Sequence, residues 1–450
     1  MGWSLVYGEV ASGLRYLVVV TGMLATGFVL TRLRAAERVE NNEALVITAL
    51  AFVAVPVVMV YPIMGYGIDF TDALFETVSA ITTTGLTTVT AIEGRENSFL
   101  FVRAWMQWYG GLGIVVLSVA LLVGPGAAAR RLARVGAEQD LISGTRLHAR
   151  RVLSVYVILT LIGIMALWMS GLDWHTSLLH ALAGISTGGF STFDRNIAGF
   201  ADWTSQLVLM ILALAGAVSL ALYHPAYYRT WRELTGHLEL KGLVTTSLVV
   251  IGCLMFCMLV ASAYRGLPIL EHAPLMALSA QTGAGFSTLA VETLDPASKL
   301  VLIVSMFIGG GVGSTAGGIK ILRLLILLRL LQLLVQRACM ATHAVAVPSI
   351  AGHRLGSREI EHALLVILWF AVVILLSWFA FLVYGYAPLD SLFDVVSATA
   401  TVGLSSGVTS TDLPILLKLV LCLDMLLGRL EVVALLLVLY PRTWMGRRLD

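Results

Sequence analysis

Apolar residues in this chain fall into blocks near 20 residues long, the length that spans a hydrocarbon core of about 30 Å. Such blocks occupy residues 14–30, 44–60, 110–123, 243–260, 363–383 and 415–439, with short polar stretches between them. The pattern predicts one integral membrane unit, with no soluble domain and no long linker.

Superimposed on the blocks is an internal repeat, the signal that most constrains an architecture. Four segments align without gaps: FETVSAITTTGLTT from Phe75, LHALAGISTGGFST from Leu179, LMALSAQTGAGFST from Leu275 and FDVVSATATVGLSS from Phe393. Each holds a short helix-like run and a pair of small residues (Ser79-Ala80, Ala183-Gly184, Ser279-Ala280, Ser397-Ala398). A glycine, a Leu or Phe and two hydroxyl residues follow. The glycines are Gly85, Gly189, Gly285 and Gly403, spaced by 104, 96 and 118 residues. Each interval holds one span, a short helix and a second span. The predicted fold is therefore all-α, with four span–pore helix–span repeats in pseudo-fourfold arrangement around one pore and one extra N-terminal helix. The boundaries are 1–40 for the extra helix and its loop, then 41–130, 131–235, 236–350 and 351–450 for the repeats. Predicted pore helices cover 71–81, 175–185, 271–281 and 390–399. The helices after them cover 100–123, 206–223, 299–335 and 414–440.

Non-helical backbone at membrane depth is tolerated only where it lines a cavity or is buried in protein. Four such segments at equivalent positions predict four loops around one axis. A ring of backbone carbonyls can replace the hydration shell of a potassium ion, and glycine permits the dihedrals that turn successive carbonyls inward. The predicted filter is Thr83, Thr84, Gly85; Thr187, Gly188, Gly189; Gly283, Ala284, Gly285; and Thr401, Val402, Gly403. Its carbonyls are the expected potassium ligands, and potassium the only cofactor expected in this chain. The hydroxyls of Thr87, Ser191, Ser287 and Ser405 support or line the vestibule. The partial negative ends of the pore helices face the cation.

Residues 309–318 interrupt the last span of the third repeat with a glycine-rich stretch, and glycine costs a helix about 1 kcal/mol per residue relative to alanine. This stretch contains a loose dinucleotide fingerprint at 311–316, but no acidic residue lies between Asp295 and Glu359 to complete it. It also echoes a phosphate loop, except that Ile319 separates Gly318 from Lys320 and Ile321 stands where Ser or Thr is required. Arg429 lies in the middle of the last apolar block, where an ionisable residue is costly and turned inward. Two readings of it stand: a structural ion pair with Glu431 or Asp424, or a cation beside the pore. Glu76 and Asp394 either draw cations to the mouth or cap helices, and His180 at the equivalent position serves packing or solvation.

Composition adds little: 58% of residues are hydrophobic and 12% charged, against about 25% charged in soluble domains. Net charge is +2, but five polar segments (32–38, 130–151, 229–241, 320–358, 442–448) hold 21 of the 29 Lys and Arg. By the positive-inside rule these face the cytoplasm. That predicts nine spans of a cytoplasmic (inner) membrane, with the N-terminus outside and the C-terminus inside. The basic segments then contact membrane lipid, not nucleic acid. Cys253, Cys257, Cys339 and Cys422 form no disulfide framework or zinc pattern. No His/Asp/Glu cluster with acid–base or metal spacing is present, which argues against an enzyme. The first residues lack the basic region of a cleavable signal. A symporter with discontinuous helices is disfavoured because it needs two inverted halves, where this chain has four parallel copies.

The chain resembles the Trk/Ktr/HKT potassium-transporter superfamily, and most of all its prokaryotic Trk/Ktr branch. The resemblance rests on the four filter segments, on QWYGGLGI (107–114), on GGGVGSTAGGIK (309–320) and on LLGRLE (426–431), and it covers nearly the whole chain. It implies a homodimer with one pore per protomer, regulated by a separate cytoplasmic nucleotide-binding subunit. It also implies that glycine at all four filter positions goes with potassium selectivity, where serine in the first goes with sodium permeation. Finally, it implies that residues 309–318 form an intramembrane gate beneath the filter. The gate residues are then Gly309, Gly310, Gly311, Gly313, Ser314, Thr315, Gly317, Gly318, Lys320 and Arg429. Trk-type members commonly carry two extra N-terminal helices, and one is found here.

Overall fold

A computed structural model describes residues 1–32, 41–122, 141–224, 237–261, 268–339, 348–350, 353–431 and 433–440. These residues are mostly helical. A short α1 (Gly2–Val6) and α2 (Val10–Leu30) come first. Then follow α3 (Asn41–Met64), α4 (Phe70–Ile81) and α5 (Asn97–Leu122); and α6 (Leu141–Met169), α7 (Trp174–Ile185) and α8 (Trp203–Ala217). Next are α9 (Leu238–Val260), α10 (Ile269–Thr282), α11 (Pro296–Ile308) and α12 (Ile321–Ala338). The last are α13 (Ser357–Val383), α14 (Pro388–Thr399), α15 (Ile415–Arg429) and α16 (Val433–Leu439). A two-residue antiparallel pair, Ser349–Ile350 with His353–Arg354, precedes α13.

Among the described residues, five helices are long and apolar enough to cross a bilayer: α2, α3, α6, α9 and α13. Their outer faces stay apolar where no protein covers them. Leu368 and Phe379 on α13 and Leu248 and Phe256 on α9 are exposed, as expected where lipid rather than water is the solvent. The short helices α4, α7, α10 and α14 are the opposite case, buried along most of their length. Asp173 starts α7 by accepting the Thr176 N–H at 2.9 Å, and Pro388 starts α14 with the preset dihedral of a first helical residue.

Packing of the short helices fixes the architecture. Each sits between the long helix before it and the helix after it, and also touches the last helix of the preceding set. Thus α7 meets α5, α10 meets α8, α14 meets α11, and α4 meets α15, which closes the circle. Close approach depends on glycine. A Cβ at Gly110 would fall 1.8 Å from the Ile81 carbonyl, one at Gly216 2.3 Å from that of Ile185, and one at Gly428 1.7 Å from that of Thr399. Each glycine lets a following helix lie against the last turn of a short one.

Three helices are shorter than the hydropathy pattern predicts. The block at 206–223 ends as α-helix at Ala217 and continues as a 3₁₀ turn at Leu220–Tyr223. The block at 299–335 breaks at residues 309–320, as its glycines require. The block at 414–440, apolar and free of internal proline, also breaks: Glu431 takes a left-handed φ of 54° between α15 and α16.

Candidate ion-conduction site

All four short helices end the same way. The middle filter residue donates its N–H five residues back: Thr84 to Ser79 O (2.9 Å), Gly188 to Ala183 O (2.8 Å), Ala284 to Ser279 O (3.0 Å) and Val402 to Ser397 O (2.8 Å). The residue before it is left-handed: Thr83 at φ 55°, Thr187 at 51°, Gly283 at 70° and Thr401 at 50°. This is a Schellman cap, whose left-handed position is normally glycine. Only the third copy has glycine there. A β-branched residue at positive φ is a true outlier, costing about 1–3 kcal/mol, and such outliers cluster at functional sites. Gly85, Gly189, Gly285 and Gly403 follow at φ 90°, 80°, 70° and 97°. Positive φ thus flanks the middle residue of each triplet on both sides, a backbone path that glycine permits.

These segments meet one another in a closed ring. A Cβ at Gly85 would lie 2.2 Å from Gly188 O, one at Gly189 2.5 Å from Ala284 O, one at Gly285 2.0 Å from Val402 O and one at Gly403 2.1 Å from Thr84 O. The ring therefore runs from the first copy through the second, third and fourth back to the first. These contacts join the middle residue and the glycine of each predicted filter triplet, eight of the twelve residues, and Thr83, Thr187, Gly283 and Thr401 lead into them from the helix caps. On one side of it opens a cavity of about 670 Å³, lined by all four glycines and by Arg103, Asp194 and Glu292.

On the other side lies the glycine-rich loop. Thr315 Oγ1 donates to Ile185 O and Gly216 O at 2.9 Å each, and stands 3.3 Å from Thr187 Oγ1. Gly317 fits where a Cβ would come 1.9 Å from Ala400 O, and the Gly318 N–H donates to Ala400 O at 3.1 Å. The loop thus reaches the base of the second filter segment at one end and of the fourth at the other. Arg429 enters from α15 and donates to Thr315 O at 2.7 Å and to Gly110 O at 3.3 Å. A cavity of about 10 Å³, room for about one water, remains among Ser314, Ala316, Lys320, Gly428, Arg429 and Glu431.

Several expectations need correction. The ion pair offered for Arg429 is not formed: Glu431 pairs with Arg323, and Asp424 accepts from Ser377 Oγ at 2.7 Å. Glu76 and Asp394 neither face the mouth nor cap a helix; both are buried and bonded to the chain beyond their filter glycines, as is His180. The glycine-rich loop is held by many hydrogen bonds. Val312 N–H donates to Glu239 Oε2 at 2.8 Å, Gly311 N–H to Ala217 O at 3.0 Å, and Ile321 N–H to Gly310 O at 2.9 Å. Ser314 Oγ donates to Gly311 O at 2.6 Å, Gln281 Nε2 to Gly309 O at 2.7 Å, and Leu220 N–H to Gly313 O at 3.1 Å. Lys320, itself left-handed at φ 71°, turns back to the Ala316 carbonyl.

Some site residues escaped sequence reasoning. Gln107 donates to Gly188 O and accepts from the Phe190 N–H at 3.3 Å, so a helix of the first set grips the filter segment of the second. Its place in the QWYGGLGI motif was the available signal. Glu239 gave none, lying near the end of a polar segment, four residues before an apolar block.

Comparison with known proteins agrees with this geometry. The family model for TrkH, described as a cation transport protein, matches residues 21–442. An uncharacterized cation transporter of Methanocaldococcus jannaschii is 31% identical over 416 residues, covering 92% of this chain and 85% of that relative. The Trk system potassium uptake protein TrkH of Escherichia coli K12 is 31% identical over 395 residues, 84% of this chain and 80% of the relative. The crystal structure of the potassium transporter TrkH from Vibrio parahaemolyticus superposes with a TM-score of 0.84 at 25% identity, covering 96% of this chain and 93% of that one. With a family model spanning nearly its whole length and two relatives of this similarity, the chain belongs to the TrkH family of cation transport proteins, a family of transporters and not of enzymes.

Proposed function

We propose that the chain is the pore subunit of a potassium uptake system in the cytoplasmic membrane. Four span–pore helix–span repeats surround one axis, and potassium is held by the backbone carbonyls of the filter triplets ending at Gly85, Gly189, Gly285 and Gly403. The observation that carries this reading is the closed ring in which each glycine abuts a carbonyl of the next copy. Four glycines keep side chains out of the ring, leaving only carbonyl oxygens, the ligand type a dehydrated potassium ion accepts. The Escherichia coli relative is a potassium uptake protein, which supports the same ion here.

Residues 309–318 act as the gate. A loop hydrogen-bonded beneath two filter segments, with a cavity for about one water behind it, is the closed state. Arg429 is its latch, and its positive charge raises the barrier to a cation. The assembly is a homodimer bound to a cytoplasmic nucleotide-binding subunit, with the N-terminus outside and the C-terminus inside. The basic segments 130–151 and 337–358, the proposed docking surface, lie partly outside the described residues.

Reconstitution tests the function directly. Purified protein in liposomes is expected to carry potassium down its gradient and to pass sodium far more slowly. Equal rates for the two ions, or a requirement for an organic substrate, would overturn the reading.

A further inference from the structure

One position in the repeat carries four unlike residues that do the same thing. It is the second residue of each aligned segment: Glu76, His180, Met276 and Asp394. All four are at most 1% exposed. Each reaches its own chain 11 to 15 residues further on, just beyond the filter glycine. Glu76 accepts from the Thr87 hydroxyl and from the Thr88 N–H at 3.1 Å. His180 Nδ1 lies 2.9 Å from Thr176 O; a carbonyl only accepts, so Nδ1 carries the proton and Nε2 accepts from Ser191 Oγ at 3.0 Å. The Met276 sulfur accepts from the Thr288 N–H at 3.4 Å. Asp394 accepts from Ser405 Oγ (2.8 Å), Ser406 N (2.6 Å), Ser406 Oγ (2.9 Å), Thr409 N (2.8 Å) and Thr409 Oγ1 (2.6 Å).

From this shared register we infer that these four side chains are straps, positioning residues that hold the outer end of each filter segment in place, and that their unequal strength makes ion selectivity depend unequally on the four repeats. This rests on the filter reading above. Hydrogen bonds to an ionised acceptor are about twice as strong as neutral ones, and a thioether is a weak acceptor. The fourth strap is therefore the stiffest and the third the weakest, with the first and second between. The first also reaches across to its neighbour: Arg103 Nε donates to Glu76 Oε2 at 3.0 Å, and the same guanidinium lies 3.8 Å from the ring centre of Phe190, the residue after the second filter glycine. Carbonyls in such a ring discriminate between potassium and sodium by position and number. A strap that slackens lets its carbonyls follow the smaller ion.

Reversal potentials in mixed potassium and sodium solutions, measured on full-length protein in bilayers, test this. Asp394→Asn is nearly isosteric, but its amide turns donors toward the donors of Ser406 and Thr409. It is expected to lower the potassium-to-sodium permeability ratio by about threefold or more, the loss of one charge-assisted bond or less. Glu76→Gln should act in the same direction. Met276→Leu should shift the ratio less than Asp394→Asn. Should Asp394→Asn not yield folded protein, Thr409→Val, which removes one hydroxyl and leaves the carboxylate four donors, is expected to act in the same direction by less. Gly85→Ser is measured alongside, because it tests the filter itself. If it changes the ratio and the Asp394, Glu76 and Thr409 variants keep the parent ratio, the straps are only structural and the inference fails while the filter reading stands. A larger shift from Met276→Leu than from Asp394→Asn overturns the ranking. No shift in any variant, Gly85→Ser included, removes the filter reading and the straps with it.

Discussion

Arg429 holds together three parts of the chain that are far apart in sequence, with Thr315 O on the loop and Gly110 O on α5 as its acceptors. Among the described residues no carboxylate lies within ion-pair distance of it, and its hydrogen-bond acceptors are carbonyl oxygens. The bond to Thr315 O exists only while the loop is seated. A hydrogen bond to a charged group contributes about 1.5–3 kcal/mol, so Arg429→Ala should raise basal flux by about tenfold or more and leave the potassium-to-sodium ratio unchanged. Single-channel recording on monodisperse protein checks this, and an open probability equal to the parent's would mean that Arg429 only stabilises the fold. At this scale the sequence is readable where chemistry repeats. Gly85, Gly189, Gly285 and Gly403 stand out because four copies agree. The straps do not, since a carboxylate, an imidazole, a thioether and a shorter carboxylate share no residue type. The left-handed threonines Thr83, Thr187 and Thr401 are hidden for a different reason: local preference argues against that conformation, and only the surrounding ring imposes it.

Among elements, the loop from Gly309 to Lys320 shows how backbone contact can set a state. Its seat beneath the fourth filter segment has no room for a side chain, since a Cβ on Gly317 would fall 1.9 Å from Ala400 O and 2.3 Å from Thr401 Oγ1. Gly317→Ala should therefore unseat that end of the loop. Overpacking of this kind typically costs about 1–3 kcal/mol, which predicts an increase in basal flux of about tenfold, with less dependence on any regulator. Tracer uptake into liposomes measures it, and flux at the parent level in folded protein would show that the loop does not hold the pore shut at that point. The break at 309–320 is legible in the sequence because consecutive glycines cannot sustain a helix. The break at Glu431 is not. Val433 and the leucines after it continue the apolar pattern of α15, and the break shows only in three dimensions, where Glu431 pairs with Arg323 on α12 and Arg429 turns to the loop.

Over the whole molecule, hydropathy and the repeat convey the number and order of elements, but not how the circle is sealed. Two ion pairs do part of that work, and both flank the fourth set. Lys299 on α11 reaches Asp390 on α14 at 2.7 Å, and Lys418 on α15 reaches Asp72 on α4 at 2.6 Å, across 346 residues of sequence. Asp72 and Asp390 occupy equivalent positions, three residues before Phe75 and Phe393, where the second and third copies have Thr176 and His272. The contacts between the first and second sets are of another kind, with Asp194 accepting the Ile92 N–H at 2.6 Å and Glu93 accepting the Asp194 N–H at 3.1 Å. The seam between fourth and first is thus the one that depends on a charge pair enclosed in protein, since Lys418 is 4% and Asp72 7% exposed. Removing one partner of a buried pair costs about 3–5 kcal/mol, because the other is left uncompensated, whereas removing both can be nearly neutral. Lys418→Met should lower the thermal midpoint of purified protein sharply. Adding Asp72→Asn should restore much of the loss. Lys299→Met should cost less, because Asp390 is one-third exposed and water can replace its partner. If the double variant is no more stable than Lys418→Met alone, or if Lys299→Met is the more damaging single change, the seam is held by apolar packing of α15 on α4 and not by the pair.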